Sequence, residues 1–278
     1  MFEGVACNEQ ITFDICGSGK PLNRETLVIR IFMLVLAGLT IYALFTLDYH
    51  KVDIPKAIVA TLSNFKIIFT QPNTQRLSLW DAFIEVVMTL GLAFLTTLFS
   101  GLISLFLGLL AAQNLAPKQV TNIIKGVIAF IRAVPTILWV LIFAVAAGLG
   151  STAAVIGLTF HSISYLAKAY AESFEDLDKS VIEALKASGA NWWQIVFQAV
   201  IPSSATYLLS WTFLRFEINF ANAIAMGAAA GAAGIGFDLF MASGFYFDLH
   251  EIGLVTYFIL AFAIVMETIA TNMKAKIA

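Results

Sequence analysis

Residues 171–202 read AESFEDLDKSVIEALKASGANWWQIVFQAVIP, and the rest of the chain is organised around this stretch. It is the longest polar interval between hydrophobic blocks in the C-terminal two thirds, with charges at Glu172, Glu175, Asp176, Asp178, Lys179, Glu183 and Lys186. A polar interval between two apolar blocks lies in water, yet the pattern here is that of folded chain. Ser180–Ser188 is rich in Ala, Leu, Glu and Lys, residues that lose little freedom in a helix. Gly189 stops that helix, because glycine accepts the left-handed conformation that closes a helix C-terminus. Asn191 then caps a second helix, and Gln194 three residues on completes a capping box. On that helix Trp192, Ile195, Val196, Ala199 and Val200 share one face. Pro202 either ends it or begins the next one. The expectation is helix–turn–helix–Pro lying at a membrane surface.

The flanking blocks set the class. Of 278 residues, 60% are hydrophobic and 12% charged, and the mean hydropathy is +0.87. A soluble domain carries about 25% charged residues, so the chain reads as an all-α, polytopic membrane protein. A net charge of −2 offers no broad basic surface, and no nucleic-acid partner is expected. Cys7 and Cys16 lack metal-ligand spacing and the three histidines are far apart, so no metal site is expected. Gly17-Ser18-Gly19-Lys20 ends like a phosphate loop, but Asp14 stands where the first glycine belongs and Pro21 where Ser or Thr follows the lysine. The chain is therefore not expected to hydrolyse ATP, and no catalytic residue is assigned to it. The first twenty residues lack the basic-then-apolar pattern of a signal peptide.

In chain order, residues 1–26 read as a cytoplasmic tail. Residues 27–47 form the first transmembrane helix, long enough for a hydrocarbon core of about 30 Å, with Arg30 placed to snorkel. Residues 48–82 are an extracytoplasmic segment in which Ile54–Phe69 suits an amphipathic helix on the membrane. Residues 83–278 form the core that carries loop 171–202. No Lys, Arg, Asp or Glu occurs in Val86–Pro117 or in Ala133–Ala167. The first run is one tilted span, with Gly91, Gly101 and Gly108 available for close helix approach. Gly148-Leu149-Gly150-Ser151 divides the second run into a helical hairpin. Ser203–Phe220 begins another span, and Ile252–Asn272 is the last. Six spans place both termini on one side. Setting that side in the cytoplasm puts Lys20, Arg24, Lys118, Lys125, Lys179, Lys186, Lys274 and Lys276 there, and leaves Lys51, Lys56, Lys66 and Arg76 outside. No internal repeat of the kind that builds inverted-repeat carriers is evident.

Glu183-Ala184-Leu185, Gly189 and Ile201-Pro202 keep the spacing of the EAA loop of ATP-binding-cassette (ABC) importer permeases. The stretches AAQNLAP (111–117), IRAVPTILWVLIFAVAAGLG (131–150), LAKAYAESFEDLD (166–178), LRFEIN (214–219) and GAAGIG (231–236) extend the likeness. From about residue 83 to the end, the chain resembles the phosphonate-type permease family. Leu185, Ala199 and Ile201 are conservative departures from its pattern. Phe220-Ala221 follows the Arg-Phe-Glu-x-Asn motif where the family often has Arg, and Thr136 follows Pro135 where it often has Glu. The resemblance implies a type I ABC importer permease fold and a homodimer surrounded by membrane lipid. It implies two copies of a separate ABC ATPase subunit that binds ATP and Mg, and an extracytoplasmic solute-binding protein that delivers a phosphonate or related phosphorus oxyanion. It places ATPase coupling on Glu183, Ala184, Lys186, Gly189 and Pro202. Other readings are the same machinery carrying an amino acid or amine, an ATP-independent secondary carrier, and a membrane anchor without a pathway.

The candidates for the translocation pathway are Arg132, Pro135, Arg215, Glu217, Asn219, Gly231, Gly234 and Gly236. A charge inside a span is costly and faces a partner or a cavity. Arg215 and Glu217, two residues apart, diverge by about 200° on a helix and do not face each other. Each charged residue either pairs across helices or lines a path for an anion, with Asn219 and Asn222 as neutral donors. Glu267 has the same two readings. Pro135 kinks its span. The Gly231–Gly236 run permits either tight packing or an unwound re-entrant segment, which membranes tolerate only when it is buried in protein or lines water. His161 reads as a packed polar residue rather than a proton relay.

Overall fold

A computed structural model describes residues 24–46, 53–74 and 76–277. The tail with Cys7, Cys16 and Gly17–Lys20, residues 47–52 with Lys51, and the side chains of Arg24, Lys274 and Lys276 lie outside the described residues. The described residues form helices and short connections, and no strand occurs among them.

The chain divides into two compact units, Met1–Ile58 and Val59–Ala278. In the first, α1 (Arg24–Thr46) is apolar around its whole circumference, and Thr26–Thr46 is long enough to cross a membrane. α2 (Ile54–Thr70) begins in the first unit and has most of its length in the second; it is the amphipathic helix expected over Ile54–Phe69, with Ile54, Ile58, Leu62, Phe65 and Phe69 on one exposed face. The second unit continues with α3 (Leu79–Ala111), α4 (Lys118–Ala133), α5 (Thr136–Ala147), α6 (Ser151–Glu175), α7 (Lys179–Ala187) and α8 (Trp192–Ile195). A π-turn (Val196–Val200) joins α8 to α9 (Ile201–Ala230). Then come α10 (Ile235–Phe240), a second π segment (Met241–Tyr246) and α11 (Leu249–Ile277).

The core is built around α6. Fourteen of its 25 residues are buried, and it packs against α3, α4, α5 and α9. Its composition requires this, because Ser162, Ser164, Tyr170 and Ser173 have no partners in hydrocarbon and must find them in protein. Its small residues make the approach possible. A Cβ on Gly157 would stand 2.5 Å from the Val140 Cα of α5, and one on Gly108 of α3 would stand 2.9 Å from the Tyr170 Cβ of α6.

The six expected crossings resolve unequally. Among the described residues α1, α3 and α11 are each long and apolar enough to span, and counting each of two bent helix pairs as one span raises the number to five. α6 occupies the second arm of the expected hairpin and, at 25 residues, is long enough, but its polar inner face keeps it from standing out by apolarity. The first arm is shorter than expected. α5 has 12 residues, about 18 Å of helix at 1.5 Å per residue, and the chain turns by 90° between α4 and α5. Pro135 is the cause. It donates no N–H and pushes Val134 into extended backbone at φ −90°, ψ 125°. The Trp139 indole N–H donates to the Ile131 carbonyl at 3.0 Å, which satisfies an acceptor that the break frees.

The glycine run both unwinds and packs tightly, at different residues. Gly231, at φ +63°, ends α9 in the left-handed conformation, and the chain bends by 53° before α10. The unwound amides find side chains: Ala233 N–H donates to Ser151 Oγ at 2.9 Å and Ile235 N–H to Thr89 Oγ1 at 3.0 Å. The flanking helices pack tightly, since a Cβ on Gly227 would overlap the Gly236 backbone and one on Gly236 the Ile224 carbonyl. α11 starts at Leu249, three residues before the expected Ile252, because Asp248 Oδ1 accepts the His250 N–H at 3.0 Å and caps it there. Its first turns hold the end of α2. Gly253 lies against the Ile68 carbonyl, and Tyr257 Oη donates to the Phe69 carbonyl at 2.5 Å.

Gly157→Leu should lower the stability of the detergent-solubilised protein by about 1–3 kcal/mol or more, because the obstacle is Val140 backbone. Gly91, with nothing within 4 Å of its Cβ position, should accept Ala without loss. Thermal unfolding of the two variants checks the contrast.

Candidate functional site

The organising stretch folds as two helices at a tight turn. Asp178 caps α7, its carboxylate accepting the Ser180 N–H at 2.9 Å. The Ser180 backbone and hydroxyl together hold that carboxyl below the usual Asp value. At the other end Ala190 N–H donates to the Leu185 carbonyl and Gly189 N–H to the Lys186 carbonyl, both at 3.0 Å, which is a Schellman closure. Gly189 sits at φ +83° with open space at its Cβ position, so the backbone conformation, and not crowding, requires glycine. The capping box forms as expected: Asn191 Oδ1 accepts the Gln194 N–H at 2.9 Å and Gln194 Oε1 accepts the Asn191 N–H at 2.8 Å.

Pro202 begins the next helix, but without a break. The π-turn carries α8 directly into α9, with Ile201 N–H donating to the Val196 carbonyl, and Pro202 sits in the first turn of α9, where a missing donor is tolerated.

The turn has two faces. Ile182, Ile195, Val196 and Val200 are buried together with Leu109, Leu166 and Phe174, and the Trp192 indole N–H donates to the Leu115 carbonyl at 2.9 Å. On the other side Glu183, Ala184, Lys186 and Ala187 are exposed. The membrane-side anchor is thus solid while four adjacent residues of α7 remain open.

A second polar constellation lies inside the helix core. Arg215 of α9 is 3% exposed. Its Nε–H donates to Ser162 Oγ at 3.0 Å, and its guanidinium stands over the Tyr165 ring, 5.0 Å from the centroid. Ser162 donates to Asn219 Oδ1 at 2.9 Å, Asn219 Nδ2 donates to Thr97 Oγ1 at 2.9 Å, and Thr97 donates to the Ala93 carbonyl at 2.7 Å. The chain of donors runs one way and ties α9, α6 and α3 together. Arg215 Nη2 and His161 Nδ1 are buried with no hydrogen-bond partner among the described residues, so the cluster keeps a spare cationic donor.

The remaining candidates are distributed. Glu217 is exposed, on a different side of α9 from buried Arg215, as the two-residue spacing predicts. Asn222 is half-buried and Glu267 is exposed on α11. Arg132 ends α4 exposed, at the rim of a cavity of about 240 Å³ shared with Lys125, Lys168, Glu172 and Glu175. Pro135 marks the α4–α5 bend, and Gly231, Gly234 and Gly236 the α9–α10 break. Arg215 and Asn219 are brought together in one cluster, and Arg132 lines a cavity with Tyr165 beside it. Ser162, Tyr165 and Thr97 escape a search for formal charge, although hydroxyls inside uncharged apolar runs are a usable signal.

The sequence pattern of the family "Binding-protein-dependent transport system inner membrane component" matches residues 104–277. The chain is 31% identical over 202 residues to the phosphate-import permease protein PhnE of Mycolicibacterium smegmatis, covering 71% of this chain and 38% of that protein. It is 30% identical over 190 residues to the phosphite transport system permease protein PtxC of Stutzerimonas stutzeri, covering 68% of each. In structure it is similar to a chain of the inward-facing MetNI methionine ABC transporter, with a TM-score of 0.66 at 19% identity over 72% of this chain and 97% of that one. At that identity the likeness concerns the fold.

Asn219→Ala should cost about 1–3 kcal/mol, because it leaves the buried Ser162 O–H without its acceptor and takes a donor from Thr97 Oγ1, and chemical unfolding in detergent checks it. The folded Asp178 pKa lies below its unfolded value. The cap therefore stabilises α7 above the ordinary Asp value of about 3.9 and fails as pH falls through the folded value. Intrinsic-rate-corrected amide exchange at Val181–Glu183 should stay constant from about pH 8 to about pH 5 and quicken only in stronger acid.

Proposed function

The chain belongs to the family of binding-protein-dependent inner-membrane transport components, the permeases of ABC importers, and from that premise we propose that it forms the membrane pathway of an importer driven by a separate ATPase. The observation that carries the proposal is the two-faced α7–α8 turn. One side is buried in the helix core, while Glu183, Ala184, Lys186 and Ala187 stay exposed on the other. A rigid, anchored helix with an open charged face suits docking into a partner.

Two copies of the permease enclose the path and two ATPase subunits, which hold ATP and Mg, dock on the turns. Glu183 and Lys186 meet charged partner groups, Ala184 leaves room for close approach, Gly189 sets the turn, and Pro202 starts the helix that carries the motion inward. Closure of the ATPase pair is transmitted as rigid-body movement and favours the outward-facing state, where an extracytoplasmic binding protein releases its solute. Both termini lie in the cytoplasm, and the path runs past Arg132, Pro135, Arg215, Glu217, Asn219 and the Gly231, Gly234 and Gly236 break.

The solute we propose is a phosphonate or related phosphorus oxyanion. The names of the two relatives support this, and so does the buried Arg215 guanidinium with a spare donor, since guanidinium forks match the oxygens of such anions. A second reading, an amino acid or amine, is favoured by the exposed Glu217 carboxylate on the same helix. Titration of the purified binding protein with phosphonates, phosphite, amino acids and amines separates the two.

Glu183→Lys and Gly189→Asp should leave membrane insertion intact while lowering uptake per ATP hydrolysed by about tenfold or more, the factor that about 1.4 kcal/mol of lost coupling gives. Reconstituted vesicles containing permease, ATPase and binding protein provide the measurement. Coupled uptake at the unsubstituted level in both variants, or uptake driven by an ion gradient with no ATPase present, contradicts the proposal.

A further inference from the structure

We infer that Glu175 is the positioning residue through which the α7–α8 turn moves α4. Glu175 is the last residue of α6. Its Oε1 accepts both the Gln113 N–H at 2.8 Å and the Lys125 ammonium at 2.9 Å. One atom therefore joins the end of α6, the 112–117 connection and the middle of α4. The side chains of Lys125 and Glu175 are 38% and 27% exposed, so the pair is partly shielded from water and salt. Two further bonds grip the same connection. Asn114 Nδ2 donates to the Phe174 carbonyl at 2.7 Å, and the Trp192 indole N–H donates to the Leu115 carbonyl at 2.9 Å. Three successive residues, 113 to 115, are held from the two helices that flank α7.

Local energetics do not account for a carboxylate at position 175. The last turn of a helix carries the negative end of its dipole and disfavours an anion, and Glu172 adds like charge one turn earlier. Glu172 is answered within its own helix by Lys168, at 3.4 Å. Glu175 instead reaches outside its helix, and a break with local preference marks a position set by its distant partners.

The mechanical sequence follows from the connections. Asp178 caps α7 three residues after Glu175, so a tilt of α7 displaces the end of α6. Glu175 carries that displacement to Lys125 and Gln113, and Trp192 carries the movement of α8 to Leu115. α4 is built to move as a unit along a membrane surface. Lys118, Lys125 and Arg132 repeat every seven residues along one side, while Val120, Ile123, Val127 and Phe130 form an exposed apolar stripe on another. Its far end is the 90° bend into α5, which converts rotation of α4 into displacement of α5 against α6.

This inference rests on the reading of the α7–α8 turn as the ATPase-docking element, and the test separates the two. The full permease with its co-purified ATPase, carrying Cys7→Ser and Cys16→Ser, receives an environment-sensitive fluorophore at Ala187→Cys on α7 or at Asn122→Cys on the exposed side of α4. ATP is the only probe added. Both labels should respond to ATP in the otherwise unsubstituted protein. With Glu175→Ala the Ala187→Cys label should still respond, while the Asn122→Cys response falls roughly fivefold. Glu175→Gln, which keeps an acceptor for the Gln113 N–H, and Lys125→Met should each reduce it by roughly threefold, the scale of a half-exposed pair. The Glu175→Gln/Lys125→Met double variant should lose no more than either single one, because the two belong to one interaction. Thermal unfolding of Glu175→Gln should match the parent, which separates positioning from folding. An undiminished Asn122→Cys response in Glu175→Ala, no Asn122→Cys response in the parent, or additive losses in the double variant overturn the inference alone. A silent Ala187→Cys label in the parent overturns the docking reading and this inference with it.

Discussion

A helix that carries serines, a histidine and tyrosines into the core of a membrane protein must be wrapped by other helices, because lipid offers no partner for its polar groups. α6 is that helix. Its requirement fixes the neighbours: α3 supplies Gly108 and Thr97, α5 lies against Gly157, and α9 brings Arg215 and Asn219. Once α6 is enclosed, α11 is free to present apolar surface, and it is long enough and apolar enough to do so.

The irregular parts of the fold obey the same constraint. At the α4–α5 bend the freed Ile131 carbonyl is taken by Trp139, and at the α9–α10 break the freed amides are taken by Ser151 and Thr89. Each break is therefore a built feature with its own donor or acceptor, placed where two helix segments must change direction. α6 also connects the two polar regions. Ser162 sits in the buried arginine cluster, and Glu175, nearly four turns later on the same helix, reaches the connection beside the surface turn. A single element thus links the interior of the helix core with the surface beside the α7–α8 turn.

The sequence was most legible where backbone chemistry is local. Gly189 and the Asn191–Gln194 pair specify a Schellman closure and a capping box through neighbours only, and both formed with the expected residues. The hairpin break at Gly148–Ser151 was legible for the same reason. Pro202 was ambiguous because proline suits either an end or a first turn, and the π-turn before it, which decides the matter, has no sequence signature. Pro135 was legible as a kink, and the chain does bend there, but an uncharged run from Ala133 to Ala167 does not show how large the turn is or how short it leaves α5. The buried cluster was half visible. Arg215 and Asn219 stand out as polar residues in an apolar block, whereas Thr97 lies 122 positions away from Asn219, and only the tertiary packing of α3 on α9 brings it near. Glu175 was visible as a charge in the organising stretch, but its role depends on Lys125, 50 positions earlier.

The central claim is that the exposed face of α7 is the contact through which an ATPase drives this permease. It is tested most directly by placing a single cysteine at Ala187, which is exposed beside the turn, in a protein lacking Cys7 and Cys16. Mild crosslinking is then carried out in native membrane, followed by purification. The account predicts a crosslink to a partner of ATPase size, with a yield that changes on addition of ATP. No crosslinked partner from an intact preparation that still transports would contradict it.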